Sequence, residues 1–198
     1  MKRIESVYRE ILYNAIENKK FQLTQSELSK KLNLSLSVVN LAVKKLESMG
    51  AIKIFKRSFK VIDIKKILYF WASIRSLEKD IIFKLRIEMP VREIERNLPD
   101  VIFTAYTAYK LKFKDVPADY SEVYAYADEK ELETIKKRFL KKDNGKKPNL
   151  FILKKDKALS LYKTMPIPQI FVDLWNLKEW YAKDFVNALE KSIFENNQ

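Results

Sequence analysis

The sequence of 198 residues predicts a mixed α/β (α+β) protein, and three observations carry that prediction. Apolar side chains recur at helical spacing through the N-terminal quarter of the chain. Two short β-branched runs follow in residues 51–62 and predict a hairpin. From residue 91 onward, strand-like and helix-like segments alternate, which is typical of a mixed α/β domain. The chain is 47% apolar, so each part can bury a core.

Two helices are predicted before residue 35. The first carries five apolar residues on one face, namely Val7, Ile11, Leu12, Ala15 and Ile16. The second lies in LTQSELSKKLNLS, where Thr24 and Glu27 form a capping-box pattern. This pattern predicts that the helix begins near Gln25, and it should end at Asn33-Leu34, where the apolar periodicity breaks.

The stretch SLSVVNLAVKKLESMG predicts a third helix from Ser35 to Met49, capped by Ser35 and ended by Gly50. At about 100° per residue, one stripe is apolar and the opposite stripe is polar. The apolar stripe holds Val39, Val43 and Leu46, and the polar stripe holds Ser37, Asn40 and Lys44. Small hydrogen-bonding side chains beside a lysine are suited to base edges in the DNA major groove. A solvated helix face is the alternative interpretation.

The segment AIKIFKRSFKVI predicts a hairpin around Lys56-Arg57-Ser58. Three helices followed by a basic hairpin resemble a winged helix-turn-helix domain over residues 1–62. The segment LTQSELSKKLNLSLSVVNLAVKKLESMGAI resembles the DNA-binding region of bacterial and archaeal transcriptional regulators. The resemblance implies that double-stranded DNA is a partner. Winged helices also serve as protein-docking or RNA-docking modules, so those partners stay open.

Specific DNA contacts follow from this hypothesis. Base contacts are predicted for Ser35, Ser37, Asn40 and Lys44. Phosphate contacts are predicted for Lys45, Lys53, Lys56, Arg57 and Lys60. Leu36 and Leu41 could touch thymine methyl groups, although packing is the role expected of either leucine.

Positive charge is concentrated in two blocks of a chain with a formal net charge of +13. Residues 1–62 carry 13 Lys and Arg against five Glu, and residues 136–157 carry ten against two Asp. Such an excess favours polyanionic partners. Gly145 and Pro148 predict a loop in the second block, whose possible second basic surface comprises Lys141, Lys142, Lys146 and Lys147. A solvated loop explains these lysines equally well.

Three segments are predicted along the chain. Residues 1–62 form the DNA-binding domain, 63–90 a connecting helix and linker, and 91–198 a C-terminal α/β domain. In the last segment, VREIERNLP, FTAYTAYKL and KEWYAKDFVNALEKSIF are predicted to contain helices. Strands are predicted at Val101 to Phe103, within VYAY, in NLFILKK and in PQIFVDLWNL.

The order of these segments, with FTAYTAYKL, PADYSEVYAYA and PQIFVDLWNL following the winged helix, resembles archaeal regulators related to AbiEi-type antitoxins of type IV toxin–antitoxin systems. The resemblance implies an antitoxin-like autorepressor whose C-terminal domain opposes a nucleotidyltransferase toxin. The sequence lacks the Gly-Ser and paired-Asp motif of an active nucleotidyltransferase, so it is not expected to be the toxin. A protein-interaction module with weak or secondary DNA binding is the alternative function.

Composition excludes several classes of chemistry. The chain has no His, no Cys and only two Gly, which removes the usual catalytic triads, thiolate metal sites and Gly-rich phosphate loops. Carboxylate-only metal chemistry survives these exclusions, but the sequence has no close Asp-x-Asp pair to hold a magnesium ion. We therefore expect no enzymatic activity, no cofactor and no metal. No apolar run approaches the length of a membrane helix, so a cytoplasmic protein is expected.

Abundant Lys, Ile and Glu suggest a thermophilic source. A homodimer would suit two DNA half-sites.

Overall fold

The computed structural model describes residues 1–143 and 145–195. The chain divides into two compact units. The N-terminal unit comprises Met1–Arg75 and Pro166–Val172. The C-terminal unit comprises Ser76–Met165 and the residues from Asp173 onward. The first unit thus extends beyond Ile62, where the sequence analysis placed a domain boundary.

The N-terminal unit combines helices with a small antiparallel sheet. Its sheet has the order β1-β3-β2, and β1 is a strand that the sequence analysis did not predict. In chain order the elements are α1 (Arg3–Ile16), β1 (Gln22–Leu23), α2 (Gln25–Leu32), α3 (Leu36–Ser48), β2 (Ile52–Ile54), β3 (Phe59–Val61) and α4 (Ile64–Ile74). The three predicted helices and the hairpin are confirmed.

The core of the N-terminal unit forms between α1, α3 and α4. All five predicted apolar residues of α1 are buried, and so are Val39, Val43 and Leu46 of α3. The side chain of Trp71 on α4 is fully buried, and its Nε1 donates to Glu5 Oε2 at 3.1 Å. The same carboxylate oxygen lies 3.7 Å from Nη1 of buried Arg75. This buried polar group ties α4 to α1, so α4 is part of the N-terminal unit.

The C-terminal unit is built on a four-stranded sheet of order β4-β7-β6-β5. Strands β6 and β7 are parallel, and the other two pairs are antiparallel. The elements that begin in this unit are β4 (Ile81–Leu85), α5 (Val91–Asn97), β5 (Ile102–Thr104), α6 (Ala105–Phe113), β6 (Val123–Ala127), α7 (Glu129–Phe139), β7 (Leu150–Lys154) and α9 (Ala182–Phe194). Helix α8 (Ile167–Trp175) spans the division between the units.

Helices cover both faces of this sheet. Ile94 of α5 and Ile135 and Phe139 of α7 join a buried cluster with one face of the strands. On the other side, Tyr106 of α6 lies edge-on to Phe185 of α9, with ring centroids 5.0 Å apart. The fold is therefore a mixed α/β protein, as predicted, with a winged helix-turn-helix arrangement followed by a sheet-containing unit.

Two predictions for the later segments are wrong. PQIFVDLWNL, predicted as a strand, contains helix α8. Ile170, Phe171, Val172 and Leu174 are buried, and so are the polar residues Gln169 and Asp173, whereas Trp175 at the end of the helix is exposed. A short, mostly apolar run is compatible with a buried strand as well as with a buried helix. Residues 63–90 are not only a helix and linker, because they include β4, an edge strand of the larger sheet. The other predicted helices and strands are present.

Candidate DNA-binding surface

The turn between α2 and α3 is fixed by local hydrogen bonds. At the start of α2, Glu27 N donates to Thr24 Oγ1 and Thr24 N donates to Glu27 Oε2, both at 3.1 Å. At its end, Asn33 adopts a left-handed conformation with φ 51°, which asparagine tolerates better than most residues. Leu34 N then donates to Ser29 O at 3.0 Å. The chain is thereby turned directly into α3, as in a helix-turn-helix.

The helix α3 buries one face and exposes the other. Gly50, with φ 70°, follows Met49 at the C-terminal end, as predicted. Ser37, Lys44 and Lys45 are exposed on the outward side. The side chains of Leu36 and Leu41 are also outward, with 56% and 63% of their surfaces exposed. Packing, the role expected for both leucines, is therefore not their role in this structure.

Of the four predicted base-contacting residues, Ser35 is the N-cap of α3 and the other three lie on the helix. Ser35 Oγ accepts from Val38 N at 3.4 Å, so this side chain caps the helix. Ser37 and Lys44 are exposed. Asn40 is half-buried, and its Nδ2 donates to Gln25 Oε1 at 3.2 Å. Because an amide nitrogen carries two hydrogens, Asn40 keeps a donor and its Oδ1 acceptor for a base.

Gln25 is a candidate site residue that sequence reasoning missed. It is the first residue of α2 and lies beside the middle of α3 through its bond to Asn40. The sequence marks Gln25 only by its position directly after the helix cap, which does not reveal a contact with α3. The bond holds the Asn40 amide in one orientation, which is what readout of a base edge requires.

The wing is a short hairpin whose tip is basic. Phe55 N donates to Ser58 O at 2.8 Å, which leaves Lys56 and Arg57 as exposed tip residues. Lys53 and Lys60 lie directly opposite each other on β2 and β3, and both are exposed. Like charges in this arrangement destabilise a hairpin. An anion bound near them would remove the repulsion.

The predicted phosphate-contacting cations are not neutralised by carboxylates. Among residues 1–143 and 145–195, no ion pair involves Lys44 or any of Lys45, Lys53, Lys56, Arg57 and Lys60. By contrast, Lys31 on α2 is bound to Glu10 Oε1 at 2.7 Å. Two of the cations lie near aromatic rings: Lys45 Nζ is 5.8 Å from the Phe70 ring centre, and Lys53 Nζ is 5.8 Å from that of Phe55. The surface therefore keeps its positive charge available for an anionic partner.

Comparison with known protein families gives one match. Residues 9–53 match a family model described as winged helix-turn-helix DNA-binding. The match runs from within α1 through the helix-turn-helix to the start of β2. Neither the curated proteins nor the solved structures compared with this chain gave a match. The N-terminal unit thus carries a winged helix-turn-helix DNA-binding domain, as its sequence predicted.

The predicted second basic surface lies in the C-terminal unit. Lys141 and Lys142 occupy a 3-10 turn at Leu140–Lys142 rather than a loop, because the chain continues a helical path after α7. Lys146 Nζ is 3.0 Å from Glu88 Oε1, and Lys147 Nζ is 3.8 Å from Glu179 Oε1. In the part of the chain that the structure describes, Lys141 and Lys142 form no ion pair. The block therefore offers less free charge than its composition suggests.

Most tyrosines of the C-terminal unit are core residues rather than an exposed stacking platform. Tyr106, Tyr109, Tyr124 and Tyr126 are buried. Tyr181 OH donates to Glu122 Oε2, and burial together with this bond raises the pKa of Tyr181 to about 12. This phenol is thus protonated at neutral pH.

No group of three or more acidic residues is arranged to hold a metal ion within 1–143 and 145–195. No helix in these ranges is both long enough and apolar enough to cross a membrane.

Proposed function

We propose that this protein is a sequence-specific transcriptional regulator that contacts DNA base edges with α3 and the DNA phosphate backbone with its wing. One observation carries the proposal: the outward side of α3 and the adjoining wing present six cations that have no carboxylate partner among the described residues, on a domain of the winged helix-turn-helix type. In this proposal Ser37, Asn40 and Lys44 contact base edges, and Ser35 acts at the helix N-terminus near a phosphate. The wing residues then supply binding that does not depend on sequence.

Replacing Asn40 by Ala tests the assignment of base readout. We expect the variant to lose about 1–3 kcal/mol of discrimination at one base pair of a selected site, because one amide contact is removed. Arg57→Gln should instead weaken binding to all sequences alike. Binding of both variants to the selected site and its single-base variants is measured by fluorescence anisotropy. Equal losses for every sequence in both variants would contradict direct readout by Asn40.

Of the four lysines of the second basic surface, Lys141 and Lys142 are proposed as further phosphate contacts, because Lys146 and Lys147 have carboxylate partners. We expect Lys141→Gln with Lys142→Gln to reduce the slope of log affinity against log salt by about 1.8, or roughly 0.9 for each lost contact. The matched control is Lys146→Gln with Lys147→Gln, which removes the same charge from residues that have carboxylate partners. A wild-type slope in the Lys141/Lys142 variant would show that this surface does not contact DNA.

The finer function proposed from segment order is an antitoxin-like autorepressor with a nucleotidyltransferase toxin as its partner. An exposed tryptophan supports protein binding by the C-terminal unit, since Trp180 has 79% of its surface exposed and tryptophan is enriched at interface hot spots. Co-expression with products of neighbouring genes tests this proposal. We expect a toxin to co-purify with the wild-type chain and to be lost with Trp180→Ala. Failure of any neighbouring product to co-purify would contradict it.

A further inference from the structure

The two outward leucines of α3 are an unexplained feature of a helix that faces a charged partner. Leu41 is 63% exposed and Leu36 is 56% exposed, whereas Val38 is half-buried and Val39, Ala42, Val43 and Leu46 of the same helix are fully buried. Leaving such side chains in water forfeits the free energy that burial would bring. A partner that covers both leucines on binding would recover this free energy.

The surroundings of these leucines match a major-groove edge. Around the helix axis, Asn40 falls between Leu36 and Leu41, and Ser37 lies one turn before Leu41. Residues 36–45 include two lysines, Lys44 and Lys45, and no acidic residue. A pair of isolated leucines interleaved with hydrogen-bonding groups is unlike a continuous apolar protein interface. It does match an A·T pair, where a thymine methyl group lies beside the adenine N6 donor and N7 acceptor.

We infer that Leu41, assisted by Leu36, recognises thymine methyl groups, so that the DNA site is specified by A·T pairs at the bases facing the middle and the start of α3. This inference rests on the proposed function. Asn40, held by Gln25, supplies the adenine contact beside the methyl group. Specificity then combines one polar contact with one apolar contact, and Leu41 is a specificity-determining residue.

Deoxyuridine substitution tests this inference directly. A site is first selected from random duplex DNA with the full chain, and each thymine is then replaced singly by deoxyuridine, which removes only the methyl group. We expect one or two replacements to lower wild-type affinity by about fourfold each, the effect of exposing one methyl group to water. Leu41→Ala should abolish the loss at one of these positions. Leu111→Ala, at a leucine of α6 with 51% exposure, is the matched control and should retain every loss.

The possible outcomes are distinct. Selected sites whose thymines all tolerate deoxyuridine would overturn the inference and leave DNA binding intact. Losses that persist unchanged in Leu41→Ala and Leu36→Ala would also overturn it. A change of oligomeric state in Leu41→Ala, seen by sedimentation with unaltered thymine dependence, would assign the leucine to a contact between copies of the chain and overturn it. Failure to select any sequence would overturn both this inference and the proposed function.

Discussion

Replacing the four wing cations Lys53, Lys56, Arg57 and Lys60 by Gln should cause the largest loss of DNA affinity of any change considered. Each phosphate contact contributes roughly 0.9 to the slope of log affinity against log salt, so the slope should fall by about 3.6. Raising salt from about 50 to 200 mM would then weaken the wild-type chain roughly 100-fold more than the variant. Fluorescence anisotropy with one duplex across a salt series measures the slope.

The control for this prediction removes four positive charges elsewhere. The control variant replaces Lys31, Lys110, Lys146 and Lys155 by Gln. Each of these lysines is ion-paired with a glutamate, so the variant loses the same charge as the wing variant but at sites that are already paired. We expect this variant to keep a slope close to that of the wild type. If both variants change the slope equally, net charge rather than wing contact determines the salt dependence. If the wing variant keeps the wild-type slope, the wing does not contact phosphates.

Trp71→Ala should produce the largest loss of stability. The indole is fully buried between α4 and α1, and removing it leaves a cavity that costs about 3–5 kcal/mol of unfolding free energy. It also removes the hydrogen bond to Glu5, a carboxylate that is itself 3% exposed. Because a domain has only about 5–15 kcal/mol of stability, this loss is a large fraction of the total. Urea titration followed by circular dichroism measures the change.

Two further variants separate packing from hydrogen bonding. Trp71→Phe retains part of the buried volume but leaves Glu5 without the indole donor, and should cost less than the alanine variant. Trp180→Ala removes the same side chain from an exposed position and should change stability by less than about 0.5 kcal/mol. A Trp71→Ala variant as stable as Trp180→Ala would contradict the role of α4 as a core helix of the N-terminal unit.

The N-terminal elements could be predicted because their signals are local. The Thr24–Glu27 capping box acts over three residues, and Gly50 acts at one backbone position. The stripe of Val39, Val43 and Leu46 depends only on helical spacing along one segment. Each signal is therefore complete within a few neighbouring residues, and the helix-turn-helix could be assigned before any tertiary contact was known.

The C-terminal unit was predicted less well because some of its elements depend on contacts that are distant in sequence. Strand β4 is held by antiparallel pairing with β7, about 70 residues later in the chain. Helix α8 is largely buried, and its short, mostly apolar run is compatible with a buried strand as well as with a helix. In both cases the secondary structure depends on contacts with residues that are distant in sequence. A short stretch of sequence does not contain those residues.

The sequence by itself determined the helix-turn-helix, the basic hairpin and the location of the positive charge, because caps, turns, spacing and charge are properties of short segments. The tertiary structure decided how those charges are used: Lys146 and Lys147 have carboxylate partners, whereas the wing cations have none in the part of the chain that the structure describes. It also placed Gln25 against Asn40 and left Leu41 in water. Pairing and burial depend on residues that are distant in sequence, so only the folded chain could decide them.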